Sequence, residues 1–417
     1  AHEYVELVPA QLKVIEEYIE VIAVDNEDQT ESQMIAAPKK PRIIAGLAGP
    51  SLLAFLAVSR FFDHLPYYRM EDVLERAGLL FGRNTQCRWM ARVALAVAPL
   101  VDFMRELVLA SAVAQADETP VKLLDPAFPG KARTAYIWAV LGCGQFPYTT
   151  YYFTPDRSRK GPDEIFASFS GTLLTDAYIC YELLSAESLG RITPAGCMGH
   201  ARRKFEELHK LGATPATTTA MAYFQRLFAI EDQLKSASDA ERLAFRQQYS
   251  RPILNEFKTW MDEKLASRPP KDNLRSAISY MTNRWECFTQ FLQSGAVPLD
   301  NNGSERAVKF PVLGRKAWLF MVSELGGETA ATMFSLTATC RRLHINPLAY
   351  LTDIFERLPT CDLNDRESLW PLLPDKWLAA HPEARMEFRE EEASARAERK
   401  RTHRTARRVA ATAATSS

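Results

Sequence analysis

The sequence has no excess of either charge: 51 Lys and Arg stand against 51 Asp and Glu. That excludes a basic surface spread over the whole molecule, so any grip on nucleic acid has to come from local clusters. It has no CxxC pair. Its seven cysteines, Cys87, Cys143, Cys180, Cys197, Cys287, Cys340 and Cys361, are scattered and odd in number. A disulfide framework is therefore excluded, and a reducing cytosol fits. No apolar run reaches the roughly 20 residues that span a bilayer, so no membrane partner is expected. No secretory signal and no internal repeat is visible. The chain opens on Ala rather than Met, so an N-terminal part of the natural protein is expected to be missing. What is present is ordinary: 417 residues, 47% hydrophobic and 24% charged, enough for two or three globular domains.

Six segments can be read along the chain. In 1–45, "PAQLKVIEEYIEVIAVD" predicts two short β segments, "NEDQTESQ" a polar loop and "APKKPRIIAGLAGP" a linker. Residues 46–110 are predicted helical. "SLLAFLAVSRFF" is apolar on most sides and should be buried. Met70, Val73 and Leu74 then share one helical face, Gly78 ends that helix, and Arg83–Asn84–Thr85 opens a second carrying Trp89, Met90 and Val93. Two short helices around a glycine turn predict a helix-turn-helix. Arg83, Asn84, Gln86 and Arg88 would then reach base edges or phosphates. The plainer alternative is a helical hairpin packed on the next domain.

Residues 111–211 change character. "AVAQADETPVKLL" predicts a strand ending near Asp117, "TAYIWAVLGC" and "PYTTYYFT" a strand pair, and "GTLLTDAY" a short buried strand ending at Asp176. "RITPAGCMGH" predicts another short strand, while "GPDEIFASF" and "ARRKFEELHKL" predict helices. Hairpins followed by alternating strands and helices imply an α/β mixed sheet with helices on its faces. Residues 212–298 show apolar spacing of three and four throughout and read as a large helical insertion. Residues 299–357 read as two or three helices around a Gly-rich loop. Residues 358–417 form an extension with a charged, then Ala/Thr/Ser-rich tail.

The chemistry suggested by these elements lies in carboxylates. Phosphodiester transfer on DNA is commonly run with two divalent cations bound by a few acidic side chains from separate elements. Mg²⁺ is hard and prefers carboxylate oxygen and water. Asp117 and Asp176 at neighbouring strand ends, with Glu305 in the first turn of a helix capped by Asn302 or Gly303, would make such a site. Carboxylates that close repel, so a cation is needed between them. Each residue also has a plain reading. Glu118 can replace Asp117 as the inward group, Asp176 can be a turn residue, and Glu305 with Lys309 can be an i,i+4 surface pair.

Longer blocks carry more weight. "ADETP", "LLTDAY", "GHARRKF", "LDNNGSERAVKFPVLGRKAWLF" and "NPLAYL" occur in this order, after "FFDHLPYYRMEDVLERAGL". From about residue 36 to residue 357 the chain resembles transposases of the insertion-sequence-sixty-six family. The resemblance implies a ribonuclease-H-like core with an Asp–Asp–Glu triad on Asp117, Asp176 and Glu305. The long gap before Glu305 agrees with the helical insertion. The family mechanism implies hydrolysis at the ends of a mobile element, which frees a 3′-hydroxyl, and attack of that hydroxyl on target DNA. Two Mg²⁺ ions per site are implied, with Mn²⁺ able to substitute. Asp117 would be shared between the ions and Glu305 would complete one shell. DNA ends and target DNA are the implied partners. A homo-oligomer, at least a dimer on DNA, is also implied, with helper proteins from the same element as further candidates, in the bacterial cytoplasm at the nucleoid.

Two departures stand out. Members usually carry a cysteine-rich zinc segment before the "AP" linker, yet "LKVIEEYIEVIAVDNEDQ" has no Cys, so no zinc is expected there. Lys309–Phe310 stands where Arg–Pro is more usual.

Other basic residues are candidates for DNA contact. Arg202, Arg203 and Lys204 at a helix start could grip phosphates, although three adjacent helical residues cannot all face one way. Arg306, Lys309, Arg315 and Lys316 on or after the Glu305 helix are further candidates. Cys197 and His200 have the spacing of half a zinc site, but a buried thiol beside a hydrogen-bonded histidine is the plainer reading. Trp318 and Phe320 read as core. The tail bases Arg399, Lys400, Arg401, Arg404, Arg407 and Arg408 could add salt-sensitive binding, but Glu390, Glu391 and Glu392 before them suggest a solvated charged helix. Two rival functions remain: a non-catalytic DNA-binding protein derived from such an enzyme, and a two-carboxylate sugar hydrolase independent of metal.

Overall fold

The computed structural model describes residues 11–25, 32–124, 130–176, 179–386 and 394–403. β1 (Val21–Asp25) and β2 (Ser32–Ala36) pair antiparallel, Val21 opposite Ala36. One strand therefore precedes the polar stretch and the other takes in its last two residues, Ser32 and Gln33, rather than both preceding it. Residues 26–31, between the two strands, lie outside the described residues.

α1 (Pro50–Ala57) runs on through a π-turn at Val58–Phe62 and buries Leu53, Leu56, Phe61 and Phe62, as its all-round apolarity requires. α2 (Tyr67–Arg76) buries Met70 and Leu74, and Gly78 follows it at a φ of 87° that glycine adopts without strain. The next helix is not short. α3 (Arg83–Leu109) spans 27 residues and buries a continuous row from Trp89 to Val108. The apolar spacing never breaks, so the helix is a central core element packed on the sheet and not a small free-standing reading head.

The main sheet contains β3 (Val113–Leu124), β4 (Ala132–Gly142), β5 (Thr149–Thr154), β6 (Gly171–Thr175) and β7 (Ile192–Gly196). Its order is β5-β4-β3-β6-β7. β4 pairs antiparallel with β3 and β5, whereas β6 pairs parallel with β3 and β7. The parallel half is connected through α4 (Lys160–Ile165) and α5 (Ile179–Glu187). The predicted mixed α/β sheet is thus present.

After β7 come α6 (Met198–Leu211), α7 (Pro215–Gln233), α8 (Asp239–Phe245), a π-turn at Arg246–Ser250, α9 (Arg251–Ala266), α10 (Asn273–Thr282) and α11 (Trp285–Thr289). They enclose their own core of Phe205, Phe224, Phe257, Ile278, Met281 and Phe288, which meets the sheet at Val113, Leu174 and Ala195. Arg246 sits inside it at 1% exposure. It is paired with Glu231 and donates to the carbonyls of Phe291, Ser294 and Val297. A buried cation needs this full set of partners.

α12 (Asn302–Trp318), α13 (Glu324–Arg342) and α14 (Pro347–Arg357) return to the main core. The Gly-rich stretch is not a loop. Gly326 and Gly327 lie in the first turn of α13, capped by Ser323, and Gly327 meets the ring of Phe153 so closely that a Cβ would overlap it. α13 also covers the edge strand β5. The Tyr151 N–H donates to Ser335 Oγ at 2.9 Å, the Thr149 N–H donates to Thr339 Oγ1 at 3.0 Å, and Thr339 returns a bond to the Thr149 carbonyl. Hydroxyls on the helix thereby satisfy an edge that would otherwise pair elsewhere. α14 packs on α1, and α15 (Arg366–Leu369) and α16 (Pro374–Ala380) close the described core. No helix among the described residues is long and apolar enough to cross a membrane.

Candidate active site

Asp117 lies within β3 and not at its end, because β4 continues to pair with it as far as Leu124. What stops near Asp117 is the parallel partner. β6 pairs with β3 at Val113–Thr172, Ala114–Leu173 and Gln115–Leu174, then ends at Thr175. The same register carried two residues further would set Asp176 level with Asp117, and the Asp176 charge does act on Asp117. Glu305 reaches them through α12. The Gln115 amide oxygen accepts from the Ser304 N–H at 3.3 Å, and Gly303 sits so tightly on that amide that a side chain would collide with it. Gln115 and Asp117 share a strand face by alternation, so the first turn of α12 docks where Asp117 points. The residue preceding α12 is Asn301, not Asn302 or Gly303. Glu305 is nonetheless in the first turn, as predicted.

Asp176 and Glu305 both lie near enough for their charges to act on Asp117. The Asp117 carboxyl is pushed up to about 7, first by burial, then by the charges of Glu118, Asp176 and Glu305. One influence opposes this: the Glu118 N–H donates to Asp117 Oδ1 at 2.8 Å. Glu118 is not the free inward group. Its side chain is 3% exposed, ion-paired with Arg157, and accepts from the Tyr181 hydroxyl at 3.1 Å. Glu305 does not pair with Lys309. Its Oε1 faces His200 Nε2 and the Arg203 guanidinium, each at 3.6 Å.

A cavity of roughly 310 Å³ opens beside these groups, lined by Arg157, Asp176, His200, Arg203, Lys204, Glu207 and Tyr280. Three cations, Arg157, Arg203 and Lys204, therefore stand with two acids, Asp176 and Glu207, around a space that a phosphate group fits. Lys204 is held over the Tyr280 ring, 4.4 Å from its centroid. Arg202 points elsewhere, towards Glu206 and the ring of Phe228. The cluster thus divides as helical geometry demands. Arg157 and Tyr280 are site residues that sequence reasoning misses, because a turn arginine and an insertion tyrosine carry no local signal.

Among the remaining candidates, Arg83, Asn84 and Arg88 are exposed at the start of α3. Gln86 is not available, being fully buried with its Nε2 donating to the Phe81 carbonyl at 2.9 Å. Arg306, Lys309 and Lys316 are exposed on α12. Arg315 is a clamp: it donates to Thr119 Oγ1 at 2.9 Å and to the Pro120 carbonyl, tying α12 to β3. Phe320 is 41% exposed rather than core. Cys197 precedes α6, buried, its thiol pushed up to about 11 by burial. Arg399, Lys400 and Arg401 are exposed, while Arg404, Arg407, Arg408, Glu390, Glu391 and Glu392 lie outside the described residues.

Comparison with known proteins gives the family of the chain. The model of the Transposase IS66 family matches residues 45–329, and that of the IS66 C-terminal element matches residues 335–374. Three proteins of Sinorhizobium fredii are similar. "Uncharacterized protein y4hP" is 30% identical over 404 residues, covering 91% of this chain and 70% of the relative. "Uncharacterized protein y4qI" is 33% identical over 328 residues, covering 76% and 60%. "Uncharacterized protein y4jD" is 30% identical over 364 residues, covering 84% and 70%. With a family model spanning most of its length, the chain belongs to the IS66 family of transposases.

Proposed function

We propose that this transposase cuts and rejoins DNA through an Asp–Asp–Glu triad of Asp117, Asp176 and Glu305. The reaction is hydrolysis at the ends of a mobile element followed by strand transfer into target DNA. The observation that carries the reading is convergence from three separate elements: Asp176 and Glu305 both lie near enough for their charges to act on the Asp117 carboxyl, which burial first and its acidic neighbours next push up to about 7. A cluster of oxygen donors that repel one another suits a hard divalent ion. Asp117, Asp176 and Glu305 would hold Mg²⁺, or Mn²⁺ in its place. Such ions, two per site in this chemistry, would activate the attacking oxygen and neutralise charge on the transferring phosphate.

The chain's own residues do the rest. Arg157, Arg203 and Lys204 hold phosphate oxygens beside Asp176 and orient the scissile strand. Arg203 and His200 fix the Glu305 carboxylate. The strand order, with β3 central between an antiparallel pair and a parallel pair, supports a ribonuclease-H-like core. That core would be split into 111–211 and 299–357, with 212–298 inserted as a helical unit that has its own core. Arg83, Asn84 and Arg88 would contact DNA from the N-terminal helices, with Arg306, Lys309 and Lys316 as further phosphate contacts. Joining two ends requires at least a dimer on DNA.

Asp176→Ala tests the assignment. Cleavage and strand transfer should fall by at least about a hundredfold while DNA affinity is kept. A wild-type protein that binds the ends without cutting them in Mg²⁺ would favour the non-catalytic binder. Activity that survives a chelator would favour metal-independent hydrolysis.

A further inference from the structure

A second set of donors meets beside the triad. Cys197 immediately precedes α6, His200 lies three residues on, and Glu305 arrives from α12. One ligand atom from each lies within 4.8 Å of the other two. The His200–Glu305 separation is 3.6 Å. Donors about 2.0–2.3 Å from a tetrahedral ion stand about 3.4–3.6 Å from one another, so this pair is already at the edge length of such a site. The surroundings hold polar groups that packing does not explain. His200 Nδ1 is buried with no hydrogen-bond partner among the described residues. The Asn301 side chain, fully buried, has neither its nitrogen nor its oxygen bonded there, although its backbone N–H contacts Cys197 Sγ at 3.3 Å. With Nε2 facing Glu305, Nδ1 points away from the three donors, but the two orphaned Asn301 side-chain atoms, on the residue whose N–H contacts the thiol, are groups that water bound to an ion there would satisfy.

We infer that Cys197, His200 and Glu305 form a site for a borderline-soft divalent cation of the Zn²⁺ class, with a fourth position open to water or a phosphate oxygen. Sulfur and imidazole select such ions over Mg²⁺, while a three-ligand set leaves the coordination incomplete. The site is distinct in chemistry from the all-oxygen triad and shares one residue with it, Glu305. Binding releases the thiol proton to solvent, since the thiolate is the ligand.

The test uses the full-length chain, stripped with a chelator and titrated with Co²⁺ as a coloured substitute for Zn²⁺. One equivalent should produce visible bands of tetrahedral intensity and a thiolate-to-cobalt charge-transfer band in the near ultraviolet. Cys197→Ser should abolish the charge-transfer band, and Glu305→Gln should weaken Co²⁺ binding at least about tenfold. Glu305→Gln covers the case in which the buried cysteine variant fails to fold, because Glu305 is partly exposed. Asp176→Ala should leave the cobalt spectrum intact while cleavage is lost, which separates this site from the triad. No charge-transfer band in the wild type, or a band unchanged in Cys197→Ser, overturns the inference. The triad assignment would be untouched by either result.

Discussion

Replacing Asp117 by Asn should stabilise the metal-free protein at alkaline pH. The amide keeps the shape of the carboxylate and still accepts from the Glu118 N–H. It removes one charge from a group that burial and three neighbouring acids already disfavour, raising its pKa from 3.8 to about 7. The sign follows from proton binding. Between the two pKa values the folded chain retains a proton that the unfolded chain has released. Wild-type stability therefore falls as pH rises through this window, and the cost is fully present above about 7. At about 1.36 kcal/mol for each pKa unit the ceiling is about 4 kcal/mol, and relaxation of a partly exposed site brings it to the order of 2–4 kcal/mol. Thermal melts with a chelator should show Asp117→Asn several degrees above wild type at about pH 8, with the gap narrowing towards about pH 5. Added Mg²⁺ should close the gap by stabilising the wild type alone. Equal melting temperatures at about pH 8, or a gap that widens on acidification, would refute the reasoning.

Arg246→Met should cost about 3–5 kcal/mol in denaturant unfolding, because it strands Glu231 and three buried carbonyls inside the helical unit; a loss under about 1 kcal/mol would show that the network contributes little. Arg203→Ala combined with Lys204→Ala should weaken DNA binding uniformly across sequences and lower the salt slope by about one for each phosphate left without its cation. Arg202→Ala, facing Phe228, should leave both unchanged, and an equal effect would place the DNA elsewhere.

Much of this arrangement is legible in residue order because local pattern and tertiary role coincide. "TAYIWAVLGC" and "PYTTYYFT" are strands because β-branched and aromatic residues line a sheet buried on both faces. The helices from α7 to α11 keep their apolar spacing because they build a core of their own. Where the two levels part, the reading fails. The sequence suggests a strand ending near Asp117 with more extended chain after it, yet β4 carries one continuous strand on to Leu124. The glycines at 326 and 327 look like a loop, yet they are helical, and at 327 only a hydrogen fits against Phe153. Gln86 looks like a base reader, but the turn before α3 folds the Phe81 carbonyl onto it. The three acids proposed as the triad are legible through long motif blocks. Their surroundings are not, since His200 and Arg203 meet Glu305, and Arg157 and Tyr280 meet Asp176, from elements far apart in the sequence.

Crystals of the protein soaked in Mn²⁺ and measured at the manganese absorption edge give the most direct trial of the central assignment. Anomalous density should lie between the carboxylate oxygens of Asp117 and Asp176, with Glu305 turned towards it, and should vanish in Asp176→Ala. Saturating Mn²⁺ that leaves those oxygens without density, while binding acids elsewhere on the molecule, would contradict the assignment.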